Sequence, residues 1–349
     1  MYHYEQLAFL NPVLDLSADL KTQEEDFVVD EIMPVQLSGE GEHCWLKITK
    51  RGSNTDYVAT QLAKFCKVKP GAISYAGLKD RNAVTTQWFS VHLPGKEEPD
   101  WQNLQNEEFT INEVCRHSRK LKRGALSANK FKIRLRNLKG SESDWQTRLH
   151  LISEMGIPNY FGFQRFGHQM NNLHRADDLI SKNKLRRMKP HKRGIYLSAM
   201  RSWIFNQIVS RRLVDDSFNH PLTGDVFMLA DSQACFAEVI DKRIEQRLHD
   251  KEIHVTAAMW GQGAAMTTDK VAELEQEVAS EFADFSNAIE KAGMKQERRS
   301  MRLMPVNMQW QFEQDNSLVV CFELTKGSYA TAVLRELCHI KDISLPEFK

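Results

Sequence analysis

The sequence predicts an α+β protein in which a middle domain is inserted between two parts of one sheet-based domain. Three observations predict it. Short β-type runs and a helical segment alternate in the first part of the chain, the β-rich texture stops near Met155, and it resumes near Pro305. We therefore expect residues 1–155 and 305–349 to build the sheet-based domain and residues 156–304 to fold separately.

The first part contains the clearest short elements. Phe27–Ile32 and Cys44–Thr49 predict strands, and Asn54–Cys66 predicts a helix because capping residues precede helically spaced apolar ones. In KFKIRL (130–135) apolar residues alternate with cations, which indicates a strand with one core face and one cationic face. The stretch AGLKDRNAVTTQ (76–87) places a glycine-containing turn and a carboxylate between two β-type runs, so we expect a strand–turn–strand.

The later elements are predicted by their periodicity. VNMQWQFE (306–313) alternates throughout, and a turn at Asp315-Asn316 leads into SLVVCFEL, which indicates a hairpin followed by a helix over Tyr329–Leu337. Two helical stripes in the middle of the chain predict packing helices. The first stripe consists of Leu197, Met200, Ile204 and Ile208, and the second of Val271, Leu274, Val278, Phe282, Phe285 and Ile289.

Composition excludes several classes of protein. The chain has 349 residues, with 47 Lys and Arg against 46 Asp and Glu, so it is not basic as a whole. Its six cysteines are scattered without a C-x-x-C, which predicts free thiols in a reducing cytoplasm. The N-terminal region lacks the features of a signal peptide, and no window is apolar enough for a membrane span. Motifs for a P-loop, a dinucleotide fingerprint, a nucleophile elbow or a metal site are also lacking. We expect a soluble cytoplasmic protein that binds no metal.

Two basic clusters interrupt this balance of charge. Arg116–Arg123 precedes the cationic strand, and Lys182–Arg193 lies in the middle domain. Either cluster alone is typical of a solvated face. Two clusters and a cationic strand face on a nearly neutral chain also fit a polyanionic partner, so both interpretations stay open.

Asp80 has two interpretations from its local sequence. It lies between Lys79 and Arg81 at the tip of the expected turn. A structural carboxylate that caps the turn and pairs with a neighbouring cation explains this arrangement, and so does a catalytic carboxylate. The residues around it do not decide between the two.

Five blocks of the sequence resemble the tRNA pseudouridine synthase D family. GLKDRNAVTTQ is similar to the family's catalytic pattern G-x-K-D-[KR]-x-A-V-T-x-Q. Four further blocks match in the same order, so the resemblance spans nearly the whole chain. They are EEDFVVDEI (24–32), RGALSANKF (123–131), PNYFGFQRFG (158–167) and KGSYATAVLREL (326–337).

The resemblance implies a fold and an activity. It implies a pseudouridine synthase fold with a mixed, largely antiparallel sheet over residues 1–155 and 305–349, interrupted by a family-specific α/β domain over residues 156–304. The implied activity is the isomerisation of uridine to pseudouridine in tRNA, at uridine 13 in the dihydrouridine arm of the glutamate acceptor and similar tRNAs. It implies neither cofactor nor metal, and we expect a monomer whose partner is tRNA.

Carried over by position, the resemblance makes Asp80 the catalytic aspartate. It places Phe27, Asn129 and Tyr329 around the substrate uridine, with Phe commonly found in the family at the position of Tyr329. Lys21 and Phe131 are weaker candidates, as a cation near the aspartate and a ring beside the base.

Two alternatives from other classes remain. The chain could be a non-catalytic tRNA-binding or tRNA-folding protein on the same scaffold, in which Asp80 is only structural. It could also be a glycosidase-like hydrolase, which would need two carboxylates around one bond. Loss of product without loss of RNA affinity in an Asp80 variant separates the first from catalysis, and release of free uracil would mark the second.

Overall fold

The computed structural model describes residues 2–104, 106–230 and 232–344, and the chain divides into two compact units. Each unit is built from three separate segments. Unit 1 consists of Met1–Val13, Glu154–Met304 and Ser328–Glu336, and unit 2 consists of Leu14–Ser153, Pro305–Gly327 and Leu337–Lys349. Two short segments therefore group with the middle of the chain. The assignment of a catalytic and an inserted domain stays a prediction.

Unit 2 contains a sheet of ten described strands. Its strands are β1 (Ser17–Leu20), β2 (Phe27–Ile32), β3 (His43–Arg51), β4 (Ile73–Tyr75), β5 (Val84–His92), β6 (Phe109–His117), β7 (Ala128–Lys139), β14 (Val306–Glu313), β15 (Ser317–Thr325) and β16 (His339–Asp342). The main order is β14-β15-β7-β2-β5-β3-β6. Only the β2–β5 and β1–β16 pairs among them are parallel, so the sheet is mixed and largely antiparallel, as predicted.

The C-terminal hairpin completes this sheet. β14 pairs antiparallel with β15, and β15 pairs along its length with β7, Leu318 facing Leu135 and Thr325 facing Ala128. The predicted alternation of KFKIRL is confirmed, since Phe131, Ile133 and Leu135 are buried on one face. The hairpin prediction is confirmed as well.

Among the described residues of unit 2 there are two α-helices, α1 (Thr55–Phe65) and α2 (Glu142–Met155), the second as far as Ser153. Val58 and Leu62 of α1 pack into a core with Leu46 and Ile48 of β3 and Phe89 of β5. This packing fixes the start of α1 beside the end of β4. That corner of unit 2 holds the loop that carries Asp80.

The described residues of unit 1 form helices and two small sheets. Its helices are α3 (Asn171–Ser181), α4 (Pro190–Val214), α5 (Lys242–His249), α6 (Asp269–Glu281), α7 (Ala283–Lys291) and, as far as Glu336, α8 (Ala330–Leu337). The strands are β8 (Ile157–Pro158), β9 (Val226–Leu229), β10 (Cys235–Ala237), β11 (Ile253–Met259), β12 (Glu297–Ser300) and β13 (Arg302–Leu303). One sheet has the order β10-β9-β11-β12 and the other pairs β13 with β8.

The long helix α4 lies in the core of unit 1. Met200, Ile204 and Ile208, three residues of the first predicted stripe, are buried there together with Phe285 and Ile289 of α7. The second stripe was predicted as one helix, and this was wrong. The chain leaves the helical conformation at Phe282, where φ is −117° and ψ is 44°, and α6 and α7 are separate helices.

Candidate active site

Asp80 lies in the loop of residues 76–83, which connects β4 to β5. The two strands pair antiparallel, so the predicted strand–turn–strand is confirmed. The carboxylate oxygen Oδ1 of Asp80 accepts a hydrogen bond from the main-chain N–H of Asn82 at 3.1 Å. This closes an Asx turn, the arrangement expected for an Asp in a tight connection. About a third of the Asp80 side chain, 37%, remains exposed.

The base of this loop is held by buried side chains of unit 2. Gln87 donates from Nε2 to the carbonyl of Gly77 at 3.0 Å and accepts from the Thr55 hydroxyl at 2.9 Å. The same hydroxyl accepts the main-chain N–H of Lys79 at 3.0 Å. The start of α1 and the strand β5 therefore fix the main chain directly before Asp80.

Lys21 is the ion-pair partner of Asp80. It follows β1 with a positive φ of 57° and its ammonium donates to Oδ2 of Asp80. The Lys21 ammonium also lies 4.8 Å from the centre of the Phe27 ring, within range of a cation–π interaction. Lys21 thus links the exposed carboxylate to the first of the predicted aromatic residues.

The cations next to Asp80 in the sequence have other partners. Lys79 donates to Oε1 of Glu31 at 3.1 Å and to Oδ1 of Asn129 at 2.9 Å. Arg81 donates from Nε to the carbonyl of Gly52 at 3.1 Å. The expectation that either neighbour pairs with the Asp80 carboxylate was wrong, because a buried glutamate and a main-chain carbonyl are better placed to receive them.

Lys50, near the end of β3, contacts the main chain of Asp80. Its ammonium donates to the carbonyl oxygen of Asp80 at 2.6 Å, and the residue is only 1% exposed. Burial lowers the pKa of Lys50 from 10.5 to about 8. Asp80 therefore has one lysine on its carboxylate and another on its main-chain oxygen.

Phe27, on β2, lies beside a second ring of the sheet. The centres of the Phe27 and Phe131 rings are 6.2 Å apart in an edge-to-face arrangement, and Phe131 stacks on Phe322 at 5.4 Å. Both Phe27 and Phe131 are 7% exposed. Phe27, Asn129 and Asp80 all belong to unit 2 and are joined through the contacts of Lys21 and Lys79.

Tyr329 belongs to unit 1, directly before α8. Its hydroxyl accepts a hydrogen bond from Nε of Arg165 at 3.0 Å, and its ring lies 5.9 Å from that of Phe161. A side chain at Gly162 would clash, since a Cβ there would lie 2.4 Å from the Thr331 hydroxyl. The blocks PNYFGFQRFG and KGSYATAVLREL are therefore packed against each other.

A cavity of about 620 Å³ opens beside the loop of the first basic cluster. Lys120, Lys122 and Arg123 line it together with the ring of Tyr75. The Arg123 guanidinium lies 6.0 Å from the centre of that ring, and the Tyr75 hydroxyl donates to Oδ1 of Asp56 at 2.5 Å. Three exposed cations beside an aromatic ring form a surface suited to a phosphate and a base.

The second basic cluster is exposed in unit 1. Residues 182–189 connect α3 to α4, residues 190–193 begin α4, and Arg186, Arg187 and Lys189 are exposed. Over the described ranges, no group of three or more His, Cys, Asp or Glu side chains could hold a metal ion. In that same part of the chain no helix has the length and apolar character of a membrane span.

The burial of Lys50 could have been predicted from the sequence, although not by matching motifs. Cys44, Leu46 and Ile48 occupy alternate positions of β3 and are fully buried. Lys50 continues that alternation, so the period of two already places a lysine on the core face. The buried carboxylate of Glu31 gave no such sign, because its partner Lys79 is 48 positions away in the chain.

A solved structure from Methanosarcina mazei that carries the name tRNA pseudouridine synthase D has the same fold. It superimposes with a TM-score of 0.73 over 95% of each chain, at 20% sequence identity. The architecture is therefore the α+β pseudouridine synthase fold.

Sequence comparison identifies the family. The family model described as tRNA pseudouridine synthase D matches residues 8–187 and 181–337. The protein of that name from Hydrogenovibrio crunogenus is 42% identical over 93% of this chain and 94% of its own length. That from Colwellia psychrerythraea is also 42% identical, over 97% of this chain and 94% of its own. The chain belongs to the tRNA pseudouridine synthase D family.

Proposed function

We propose that this protein isomerises uridine to pseudouridine in tRNA, with Asp80 as the catalytic residue. Its membership of a family of RNA pseudouridine synthases supports the reaction. The observation that carries the assignment of Asp80 is its ion pair with Lys21 at an exposed turn. A carboxylate held by an ammonium yet open to solvent is available to a bound nucleoside.

The reaction needs a carboxylate and no external reagent. The C1′–N1 bond of uridine breaks, the uracil ring turns, and a C1′–C5 bond forms, while C5 loses a proton and N1 gains one. Product and substrate are isomers, so no oxidant or group donor enters. Asp80 serves either as the nucleophile that adds to the nucleoside or as the base that takes a ribose proton.

The uridine must leave its stack to reach Asp80. Extrusion of a base costs a few kcal/mol, which ring stacking and hydrogen bonds to the base edge can offset. We assign the stacking to Phe27 and Tyr329 and the hydrogen bond to Asn129. Phe27 lies beneath the Lys21 ammonium, and Asn129 is held by Lys79, so both are connected to the residues around Asp80.

The two basic clusters would bind the phosphates of the folded tRNA, where shape and backbone dominate recognition. The cavity beside Tyr75 supports this for the first cluster, and the exposure of Arg186 and Arg187 supports it for the second. The target that we propose is uridine 13 in the dihydrouridine arm of the glutamate acceptor.

Three further assignments belong to this proposal. Unit 2 contains the catalytic domain, and most of unit 1 is the family-specific insertion. The protein acts as a monomer in the cytoplasm. All six cysteines are free thiols, which agrees with a reducing compartment.

The test is to incubate purified protein with an unmodified transcript of the glutamate acceptor tRNA and to map pseudouridine by carbodiimide-dependent primer extension. A stop at position 13 is expected, which a transcript with cytidine at that position does not give. Free uracil in the supernatant would indicate the hydrolase instead.

The Asp80→Asn variant tests the catalytic residue on the same transcript. Asn has nearly the size of Asp and can keep the Asx turn, so a folded protein is expected. Single-turnover product should fall by several orders of magnitude, while tRNA affinity stays equal or improves slightly because a charge that repels phosphate is lost. Product at a near wild-type rate from the folded variant would refute the role of Asp80.

A further inference from the structure

Lys50 occupies a position where lysine is rarely found. It lies on the core face of β3, in line with Cys44, Leu46 and Ile48, and is 1% exposed. Lysine side chains are almost never fully buried unless a specific partner compensates the charge. A polar residue that breaks the pattern of a buried strand face marks a functional or strained position more often than a packing one.

The partner of this ammonium is a main-chain atom of Asp80. Nζ of Lys50 donates to the Asp80 carbonyl oxygen at 2.6 Å. Three charged groups act on the Lys50 ammonium through space. The carboxylates of Asp80 and Glu24 favour its charged form, and the ammonium of Lys79 opposes it. The core thus encloses a lysine whose contact is with the residue that we assign to catalysis.

Asp80 is consequently held at three of its atoms. Lys21 binds Oδ2, the N–H of Asn82 binds Oδ1, and Lys50 binds the main-chain oxygen. The first two contacts orient the carboxylate relative to the main chain. Among the contacts of the described residues, the third alone joins the main chain at Asp80 itself to the sheet, because the contacts of Gln87 and Thr55 act at Gly77 and Lys79.

We propose that Lys50 is a positioning residue for the reaction, and that it holds the main chain of Asp80 at the place from which the carboxylate reaches the nucleoside. The inference rests on the proposed function of Asp80. A displacement of about 1 Å at a reacting group can cost roughly 100-fold in rate. Loss of Lys50 should therefore act on the chemical step and not on the capture of tRNA.

The decisive variant is Lys50→Met, which keeps the length of the side chain and removes its donors. At a temperature where the variant is folded by circular dichroism, we expect the single-turnover rate at saturating enzyme to fall about 10- to 100-fold. The dissociation constant for tRNA should stay within about threefold, since a buried residue does not touch RNA. Lys50→Arg, which retains charge and donors, should recover a large part of the rate.

Lys47→Met is the matched control. Lys47 lies on the same strand but on its opposite, half-buried face. This variant should keep the wild-type rate and affinity. An equal loss in both variants would attribute the effect to general damage of β3 and overturn the proposal.

Two results would overturn the positioning role of Lys50. One is a wild-type single-turnover rate in folded Lys50→Met, and the other is a loss confined to tRNA affinity. If Lys50→Met does not fold, Lys50→Gln replaces it, because the shorter glutamine side chain also fails to reach the Asp80 carbonyl. A wild-type rate in folded Lys50→Gln would overturn the proposal as well. An inactive Asp80→Asn beside a fully active Lys50→Met overturns this inference alone, whereas an active Asp80→Asn overturns the proposed role of Asp80.

Discussion

Lys79 donates to the amide oxygen of Asn129 at 2.9 Å, and this contact determines which groups Asn129 can offer to the uracil that we propose it binds. With Oδ1 directed to the ammonium, the amide offers its Nδ2–H groups as donors. Donors match the carbonyl oxygens of uracil. The ion pair of Lys79 with the buried Glu31 keeps the lysine in place.

Asn129→Asp tests that orientation. The carboxylate keeps the contact with Lys79 but has no N–H to donate, so we expect turnover to fall roughly 5- to 150-fold, which corresponds to about 1–3 kcal/mol for a hydrogen bond that is no longer made. The measurement is the single-turnover rate at saturating enzyme. A rate equal to that of the wild type would show that Asn129 does not donate to the base.

The Tyr329 hydroxyl should be dispensable while its ring is required. Arg165 also donates to the Ser198 hydroxyl at 3.1 Å and lies over the Phe161 ring, so Tyr329→Phe leaves it with partners. We expect wild-type turnover from Tyr329→Phe. Tyr329→Ala should lose about 1–3 kcal/mol of stacking, which lowers turnover roughly 5- to 150-fold. Equal rates for the two variants, measured in parallel, would remove Tyr329 from the substrate site.

The basic clusters should determine how tRNA affinity depends on salt. Neutralising three phosphate-binding cations lowers the slope of log K against log salt by about 2 to 3. One triple Gln variant changes Lys120, Lys122 and Arg123, and the other changes Arg186, Arg187 and Lys189. The control changes Lys251, Lys270 and Lys291, which are exposed and scattered over unit 1. A slope that stays constant in both cluster variants would make the clusters solvated faces.

Lys50 should make the free energy of unfolding depend on pH. Its pKa is about 8 in the folded protein and 10.5 in an unconstrained lysine, so the unfolded chain binds more protons between these values and stability rises with pH there. We expect the wild type to gain up to about 3 kcal/mol relative to Lys50→Met between pH 7 and 10.5. Denaturant titrations of both proteins measure the difference. Parallel pH curves would contradict the lowered pKa.

A buried ion pair should dominate the stability of unit 1. Arg212 donates to both carboxylate oxygens of Asp225, at 2.8 and 2.9 Å, and neither side chain is more than 1% exposed. Asp225→Asn leaves an uncompensated guanidinium and should cost about 3–5 kcal/mol. The control is Glu281→Gln, which breaks an exposed pair with Arg211 and should cost less than about 1 kcal/mol. Thermal and denaturant unfolding check both values, and similar costs would refute the argument from burial.

Strands and helices whose apolar residues lie on one face could be predicted from the sequence. A break in the main chain between two helices could not. Phe131 and Ile133 are buried because a strand period of two leaves no other face for them. The break at Phe282 was missed since its side chain continues the apolar stripe. The helix ends there in its main-chain angles, which the pattern of side chains does not report.

In the candidate active site too, some residues could be predicted from the sequence and others could not. The motif led us to propose Asp80 as the catalytic residue, and the inward alternation of β3 would have revealed Lys50. The direction of Lys79 could not be read from its neighbours, because it depends on Glu31 and Asn129, which only the folded sheet brings near. Adjacency in the sequence favoured Lys79 and Arg81 as partners of Asp80, whereas the family resemblance named Lys21 as a cation near the aspartate, and Lys21 is the residue that pairs with it.

The pairing of β15 with β7 has a consequence during translation. β7 ends at Lys139, and β15, which covers one of its edges, begins only at Ser317. At ribosomal speeds of about 5–20 residues per second, that edge stays uncovered for roughly 10 to 40 s after it emerges. An open strand edge is a template for pairing with another chain. The nascent protein therefore passes through an interval in which this edge of β7 is open to pairing with a neighbouring polypeptide on the polysome.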